Sequence, residues 1–207
     1  MNENVIEPAD VTTANFVFGL HIDAAAARDF CISLYSWSKN NPCKPLRINQ
    51  HSTGGNIGDA ELLYETYTHL RSLGHHLTIA IHGRATSCSS WVVQAADVRV
   101  MGAISEICIH EVSSKAEGPY SLMMREIERV RHLQKKTFAI TCSRTASTKT
   151  AKTPLTVEII GEKTAEGRDW WLTAEEALKY GLIDAIEPVP AYRDPLPVTG
   201  QACASAA

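Results

Sequence analysis

The sequence predicts an α/β fold, a mostly parallel sheet with helices laid over it. Three observations carry that expectation. Short apolar runs recur near 16–18, 46–50, 77–81, 98–101 and 106–110, each the length of a buried strand. Stretches able to continue as helices, near 24–37, 59–73 and 88–96, separate most of them. No segment repeats at the roughly 20–50-residue period of solenoids or propellers. Strands joined through helices run parallel, because each helix carries the chain back across the sheet.

Taken in order, Phe16-Val17-Phe18 opens the first strand, and the helix at 24–37 begins with four alanines, the best helix formers. The strand Leu46-Arg47-Ile48-Asn49 ends in Gln50-His51-Ser52-Thr53-Gly54-Gly55-Asn56. Gly74 caps the helix at 59–73, and His75-His76 after it predict a surface turn rather than a metal site. Leu77-Thr78-Ile79-Ala80-Ile81 reads as a buried strand entering the turn Gly83-Arg84-Ala85-Thr86-Ser87-Cys88-Ser89-Ser90-Trp91. Ile107-Cys108-Ile109-His110 is a strand delivering a histidine at its end. A long helical pattern over 120–145 places Leu122, Met123, Ile127, Val130, Leu133 and Phe138 on one face and seven charged residues on the other. Lys149, Lys152 and the neighbouring threonines form a solvated connection before Pro154, which suits the first turn of a short helix. Asp169 stands in a loop before the helix that starts at Thr173-Ala174-Glu175-Glu176-Ala177. Asp184 reads as a turn residue.

Function is read from the turns. A serine on a strand-to-helix turn projects its hydroxyl, and the unbonded N–H groups at a helix start favour developing negative charge. Paired glycines such as Gly54-Gly55 let backbone N–H groups approach a ligand unobstructed. Ser87, His110 and Asp169 in separate loops, with a candidate oxyanion glycine, are the parts of a serine hydrolase. Each part also has a plain structural reading: tight packing for the serine, backbone pairing for the histidine, helix entry or an Arg168 pair for the aspartate. Glu111 is the other carboxylate next to the histidine.

The motifs together resemble the Clp peptidase family. That family carries a strand ending in Ser-Pro-Gly-Gly, a Gly-Gln-Ala-Ala-Ser-Met-Gly-Ala nucleophile turn and a strand ending in Ile-His. An Arg-Asp pair then precedes a Ser/Thr-Ala-x-Glu-Ala helix that closes in Tyr-Gly-Leu-Ile/Val-Asp. This chain has Ser52 to Gly55, Gly83 to Ser90, Ile109-His110, Arg168-Asp169, Thr173 to Ala177 and Tyr180 to Asp184 in that order. The resemblance implies the crotonase-like ClpP fold, a spiral of ββα units with a protruding handle helix. It implies Ser87 as nucleophile, His110 as general base, Asp169 as the group orienting the imidazole, and oxyanion N–H groups from Gly55 and Cys88. It implies no metal or cofactor, a peptide or unfolded protein as substrate, and a homo-oligomeric heptameric ring that can stack in pairs through the handle. The corresponding division is a short arm at 1–14, a peptidase domain at 15–187 with its handle at 111–150, and a Pro/Ala-rich tail at 188–207 expected to be disordered.

Several departures bear on partners. The arm is shorter than the family's, and Arg47 and Asn49 stand where relatives offer aromatic side chains to an AAA+ unfoldase. The separation of His110 from Asp169 is longer than the family norm, and Gly167 replaces an acidic residue. Other function classes also remain open: a catalytically silent ring subunit, and an acyl-CoA enzyme of the crotonase kind, which would not need Ser87.

Composition agrees with a soluble domain. A net charge of −3 and 44% hydrophobic residues point neither to nucleic acid nor to a membrane surface. The start Met1-Asn2-Glu3-Asn4 is not that of a signal peptide, which predicts a cytoplasmic setting. Six cysteines without CxxC spacing predict reduced thiols rather than a zinc site, with Cys88 an inert helix-start residue.

Overall fold

The computed structural model describes residues 13–188. Apart from residues 13, 14 and 188, the expected arm and tail lie outside the described residues. Among the described residues seven strands form one sheet: β1 Ala14–Phe18, β2 Leu46–Ser52, β3 Leu77–Thr86, β4 Val98–Gly102, β5 Glu106–Ile109, β6 Trp170–Leu172 and β7 Ala185–Glu187. Six helices accompany them: α1 Ala24–Asn40, α2 Ile57–Ser72, α3 Cys88–Val92, α4 Tyr120–Cys142, α5 Val157–Thr164 and α6 Ala174–Tyr180. The order along the sheet is β1-β2-β3-β4-β7, with β5 branching from β3 and β6 pairing β5. Every pairing is parallel except β5 with β6, which supports the α/β expectation.

β3 is the pivot of the architecture. Its first half, Thr78 to Ile81, pairs with β4, and its second half, Arg84 to Thr86, pairs with β5. The change of partner follows a bulge: Gln50 pairs with Ile81, but Ser52 pairs with Ala85, leaving three residues of β3 opposite His51 alone. A bulge bends its strand. Here it turns the end of β3 away from the main sheet and toward β5, carrying Ser87 to the end of the strand that bears His110.

Inward residues of the strands build the core against α1 and α2. Phe30 of α1 sits edge-on between Phe18 of β1 and Tyr67 of α2, with ring centroids 5.1 and 6.5 Å away. Side-chain caps fix several helix starts: Asp23 accepts from Ala26 N–H, Asn56 from Gly58 and Asp59, and Thr173 forms a capping box with Glu176. The helix expected at 88–96 is shorter, because α3 ends at Val92 and a 3₁₀ turn over Val93–Ala95 completes it.

Three polar residues expected in turns or in a solvated connection are structural. His75 is buried, not in a surface turn: Nδ1 lies 2.8 Å from the Lys44 carbonyl, Nε2 lies 2.7 Å from Ser38 Oγ, and Trp37 packs beside the ring. Asp184 is more than a turn residue, since it receives two hydrogen bonds from the side chain of the wholly buried Arg99. The remaining N–H groups of Arg99 reach Gln94, the Gly181 carbonyl and Thr148, so all five donors are used. Burial works against the charged Asp184 carboxylate, yet its bonds to Arg99 hold its pKa below the ordinary value. Thr148 is therefore buried within the connection expected to be solvated.

α4 divides into two parts. Thr137, Phe138 and Thr141 near its end are buried in the body, whereas Tyr120, Leu122, Met124 and Ile127 at its start are exposed. Of the apolar stripe predicted from the sequence, Leu122 and Ile127 are exposed, Met123, Val130 and Leu133 half-buried, and Phe138 buried. On the sheet, Arg47 pairs with Glu187 of β7 and its Nε donates to Asn49 Oδ1 at 3.1 Å, while His82 lies 2.8 Å from the other Glu187 oxygen. No helix among the described residues is long and apolar enough to cross a membrane.

Candidate active site

Ser87 is the residue between β3 and α3, at φ 58° and ψ −130°. An L-residue reaches positive φ only at a cost of roughly 1–3 kcal/mol, so the surrounding bonds must over-determine it. They do. Ser87 N–H donates to the Cys108 carbonyl at 2.9 Å, and the Ser87 carbonyl accepts from Ser90 N–H at 3.0 Å and from Ser90 Oγ at 2.6 Å. This fixes the serine on a sharp strand-to-helix elbow, half-buried, beside the strand that ends in Ile109.

The glycine pair packs against that elbow. A Cβ on Gly54 would lie 2.6 Å from Ser87 Cβ and 2.6 Å from the Thr86 carbonyl oxygen, at φ +83°. Gly54 N–H bonds Ser52 Oγ at 3.1 Å, which folds the turn. Ile22 then straps the loop from outside: its N–H donates to the Gly54 carbonyl and its carbonyl accepts from Asn56 N–H, both at 2.8 Å. A Cβ on Gly55 would sit 2.0 Å from the Ile22 carbonyl oxygen, so that strap also excludes any side chain there. Between the two strap bonds, Gly55 N–H keeps no backbone partner among the described residues.

One pocket collects the predicted groups. Gly55, Ser87, Cys88 and His110 line it, and Ile57, Trp91, Thr137, Phe138 and Thr141 add an apolar wall with two hydroxyls. Phe138 and the threonines were not singled out from sequence as site residues, because α4 reaches the pocket only through tertiary packing; Trp91, on α3, was read only as part of the turn. The Cys88 thiol lies beside the N–H groups of Gly55, Cys88 and Ser89; burial pushes its pKa up to about 11 and those N–H groups offset only part of the rise. A protonated, buried thiol is a poor nucleophile at neutral pH, as expected for an inert residue. The cysteines among the described residues are all free. Among those residues no cluster of three or more His, Cys, Asp or Glu could hold a metal ion.

The base side is arranged differently. His110 Nδ1 lies 2.6 Å from the carbonyl of Glu111, the next residue in the chain. A carbonyl only accepts, so Nδ1 carries the hydrogen and, in the neutral ring, Nε2 is left as the basic nitrogen. Asp169 precedes β6, and the antiparallel register pairs Ile109 with Trp170. His110 and Asp169 are the residues that flank the last pair of that register. The aspartate is exposed and bonds no other described residue through its side chain, but it is close enough to Cys108 to act on it. Burial, with the Asp169 and Glu106 charges, pushes the Cys108 thiol up to about 12. No hydrogen bond among the described residues joins Ser87 to His110, or His110 to Asp169. The structure therefore brings Ser87, Cys88, Gly55 and His110 into one pocket and leaves Asp169 outside its lining, one residue before β6. Glu111 lines the pocket too, and its contact with the imidazole is through its backbone.

Comparison with known proteins places this geometry in context. A family model described as Clp protease matches residues 10–189. The ATP-dependent Clp protease proteolytic subunit 3 of Frankia casuarinae is 28% identical over 173 residues, which cover 81% of this chain and 74% of that protein.

Proposed function

The chain belongs to the Clp protease family, and on that premise we propose that it is a serine endopeptidase acting inside a self-compartmentalised oligomer. The observation that carries the proposal is the strained Ser87 elbow, which shares one pocket with His110 and the backbone of Gly55 and Cys88. In the proposed reaction Ser87 Oγ attacks a peptide carbonyl while His110 Nε2 takes its proton. The oxyanion is met by the N–H groups of Gly55 and Cys88, each worth about 3–4 kcal/mol of barrier. His110 then gives the proton to the leaving amine. Water, activated by the same imidazole, hydrolyses the acyl-enzyme and restores Ser87. Asp169 enters as the group that orients and stabilises the imidazolium from the neighbouring strand.

The substrate class is an unfolded or short peptide, laid along the pocket with its leading side chain against Trp91 and Phe138. Ring assembly would cover the exposed apolar residues at the start of α4, a face that has no partner within one described chain. The ion-paired Arg47 and Glu187 make the sheet face polar, which argues against an unfoldase that docks through apolar loops. A second reading, a catalytically silent ring subunit, has one observation in its favour: Ser87, His110 and Asp169 are not joined by side-chain hydrogen bonds. Hydrolysis of an unstructured fluorogenic peptide by the full chain, lost in Ser87→Ala while the oligomer measured by light scattering is retained, supports the peptidase. A ring of the same size with no hydrolysis and no serine labelling selects the silent subunit, and a monomer at all concentrations overturns the chambered reading.

A further inference from the structure

Two buried side chains behind the elbow have no part in the chemistry above. Gln50 of β2 and Ser89 of α3 are both 0% exposed, and Gln50 Nε2 donates to Ser89 Oγ at 2.7 Å. The other end of the amide, Oε1, is buried without a partner. A half-satisfied buried amide is a poor device for stability, since two apolar side chains of the same shape would serve the core as well or better. Its position suggests a different use. Gln50 occupies the last regular pairing before the bulge of β3, and its strand runs directly into the Gly54-Gly55 loop. Ser89 directly follows Cys88. The bond therefore ties the strand that delivers one candidate oxyanion donor to the helical turn that carries the other. The other side-chain contact between the glycine loop and α3 is that of the Cys88 thiol with the Gly55 N–H, which lies inside the pocket rather than behind it. Neither Gln50 nor Ser89 lines the pocket, so any effect on the reaction passes through the backbone.

We propose that the Gln50–Ser89 pair is a positioning device that sets the spacing between the Gly55 and Cys88 N–H groups, and with it the stabilisation of the oxyanion. The proposal rests on the peptidase reading. A donor displaced by a fraction of an ångström still permits substrate to bind but loses part of its hold on the charge that develops later. The pair therefore acts on kcat and leaves KM nearly alone.

The experiment compares the full chain with Gln50→Leu, Ser89→Ala and the double variant on one fluorogenic peptide, with kcat counted per site titrated by a fluorophosphonate. The expected result for the double variant is a kcat about tenfold lower, well short of losing a whole donor, with KM within about twofold. Its Tm is equal to or above that of the parent, because both polar partners leave together. Each single variant loses about as much kcat as the double, since either change breaks the same bond. Counting titrated sites removes misfolded protein from the comparison. An unchanged kcat per site in the double variant, with an active parent, overturns the positioning role alone. A parent that neither hydrolyses the peptide nor labels overturns the peptidase reading, and the positioning role falls with it.

Discussion

Ser87 and His110 line one pocket, yet the first is held by a strained turn and a glycine packed against its Cβ, and the second by the carbonyl of the next residue. The nucleophile half is held by backbone bonds and by short buried side chains: Ile22 straps the glycine loop, Ser90 closes the elbow, and Gln50 joins strand to helix. It cannot relax without opening the turn. The base half rests on side-chain torsions and on the register of two short strands, β5 and β6. Neither Ser87 nor Asp169 is hydrogen-bonded to the imidazole, whose bond is to the Glu111 carbonyl. The difference teaches where control of a proposed peptidase would lie: the oxyanion donors and nucleophile are set by folding, and the acid–base pair is set by what packs against it.

That comparison can be broken at either half. The largest effect is expected from Ser87→Ala, which should lower kcat by about 10⁴-fold or more without lowering Tm by more than a few degrees. Peptide hydrolysis and a thermal melt measure both. Asp169→Asn comes next, with an expected loss of roughly 10³–10⁴ in kcat and little change in KM. A loss below about tenfold would assign the orienting role to the Glu111 carbonyl, and the base half would then be as backbone-built as the other.

A third change probes the fold apart from the site. Asp184→Asn leaves Arg99, which is wholly buried, without its charge partner, and should cost about 3 kcal/mol of stability. Denaturant unfolding measures it, and kcat per titrated site should stay at the parent value. Parallel loss of kcat would show that the Arg99 network reaches the pocket.

The smallest effect is on pH. Asp184 and Glu187 both titrate below their ordinary values in the fold; burial works the other way, and the bonds from Arg99 to Asp184, and from His82 and Arg47 to Glu187, outweigh it. Their folded pKa values lie under the unfolded ones, so their contribution is fully present above the carboxylate range of about 4 and is lost as pH falls through the folded values. Tm should fall below about pH 4, and Glu187→Gln should make that fall shallower.

How far the sequence could be read followed the range of the interactions. The Ser87 elbow and the Gly54-Gly55 loop were legible because each is a local strand-to-turn pattern with small residues at fixed places. His110 was legible as the end of an apolar strand. Its relation to Asp169 came from the family resemblance alone, because it depends on antiparallel pairing between segments about sixty residues apart in sequence. The burial of His75 and the partner of Asp184 were not legible for the same reason: Ser38 and Arg99 are brought to them by α1 and by the folded sheet. Gln50 left a signal that could have been used. In Leu46, Ile48, Gln50 and Ser52 the inward positions of β2 turn from apolar to polar just before the site, and a polar residue on a buried face asks for a partner.

The most direct test of the account is to treat the full-length protein with a fluorophosphonate and map the adduct by mass spectrometry, alongside Ser87→Ala. The account predicts a single adduct on Ser87 that is absent from the variant, as expected of a serine activated by its base and served by preformed oxyanion donors. An assembled protein that takes no label at Ser87, or takes it elsewhere, would contradict it.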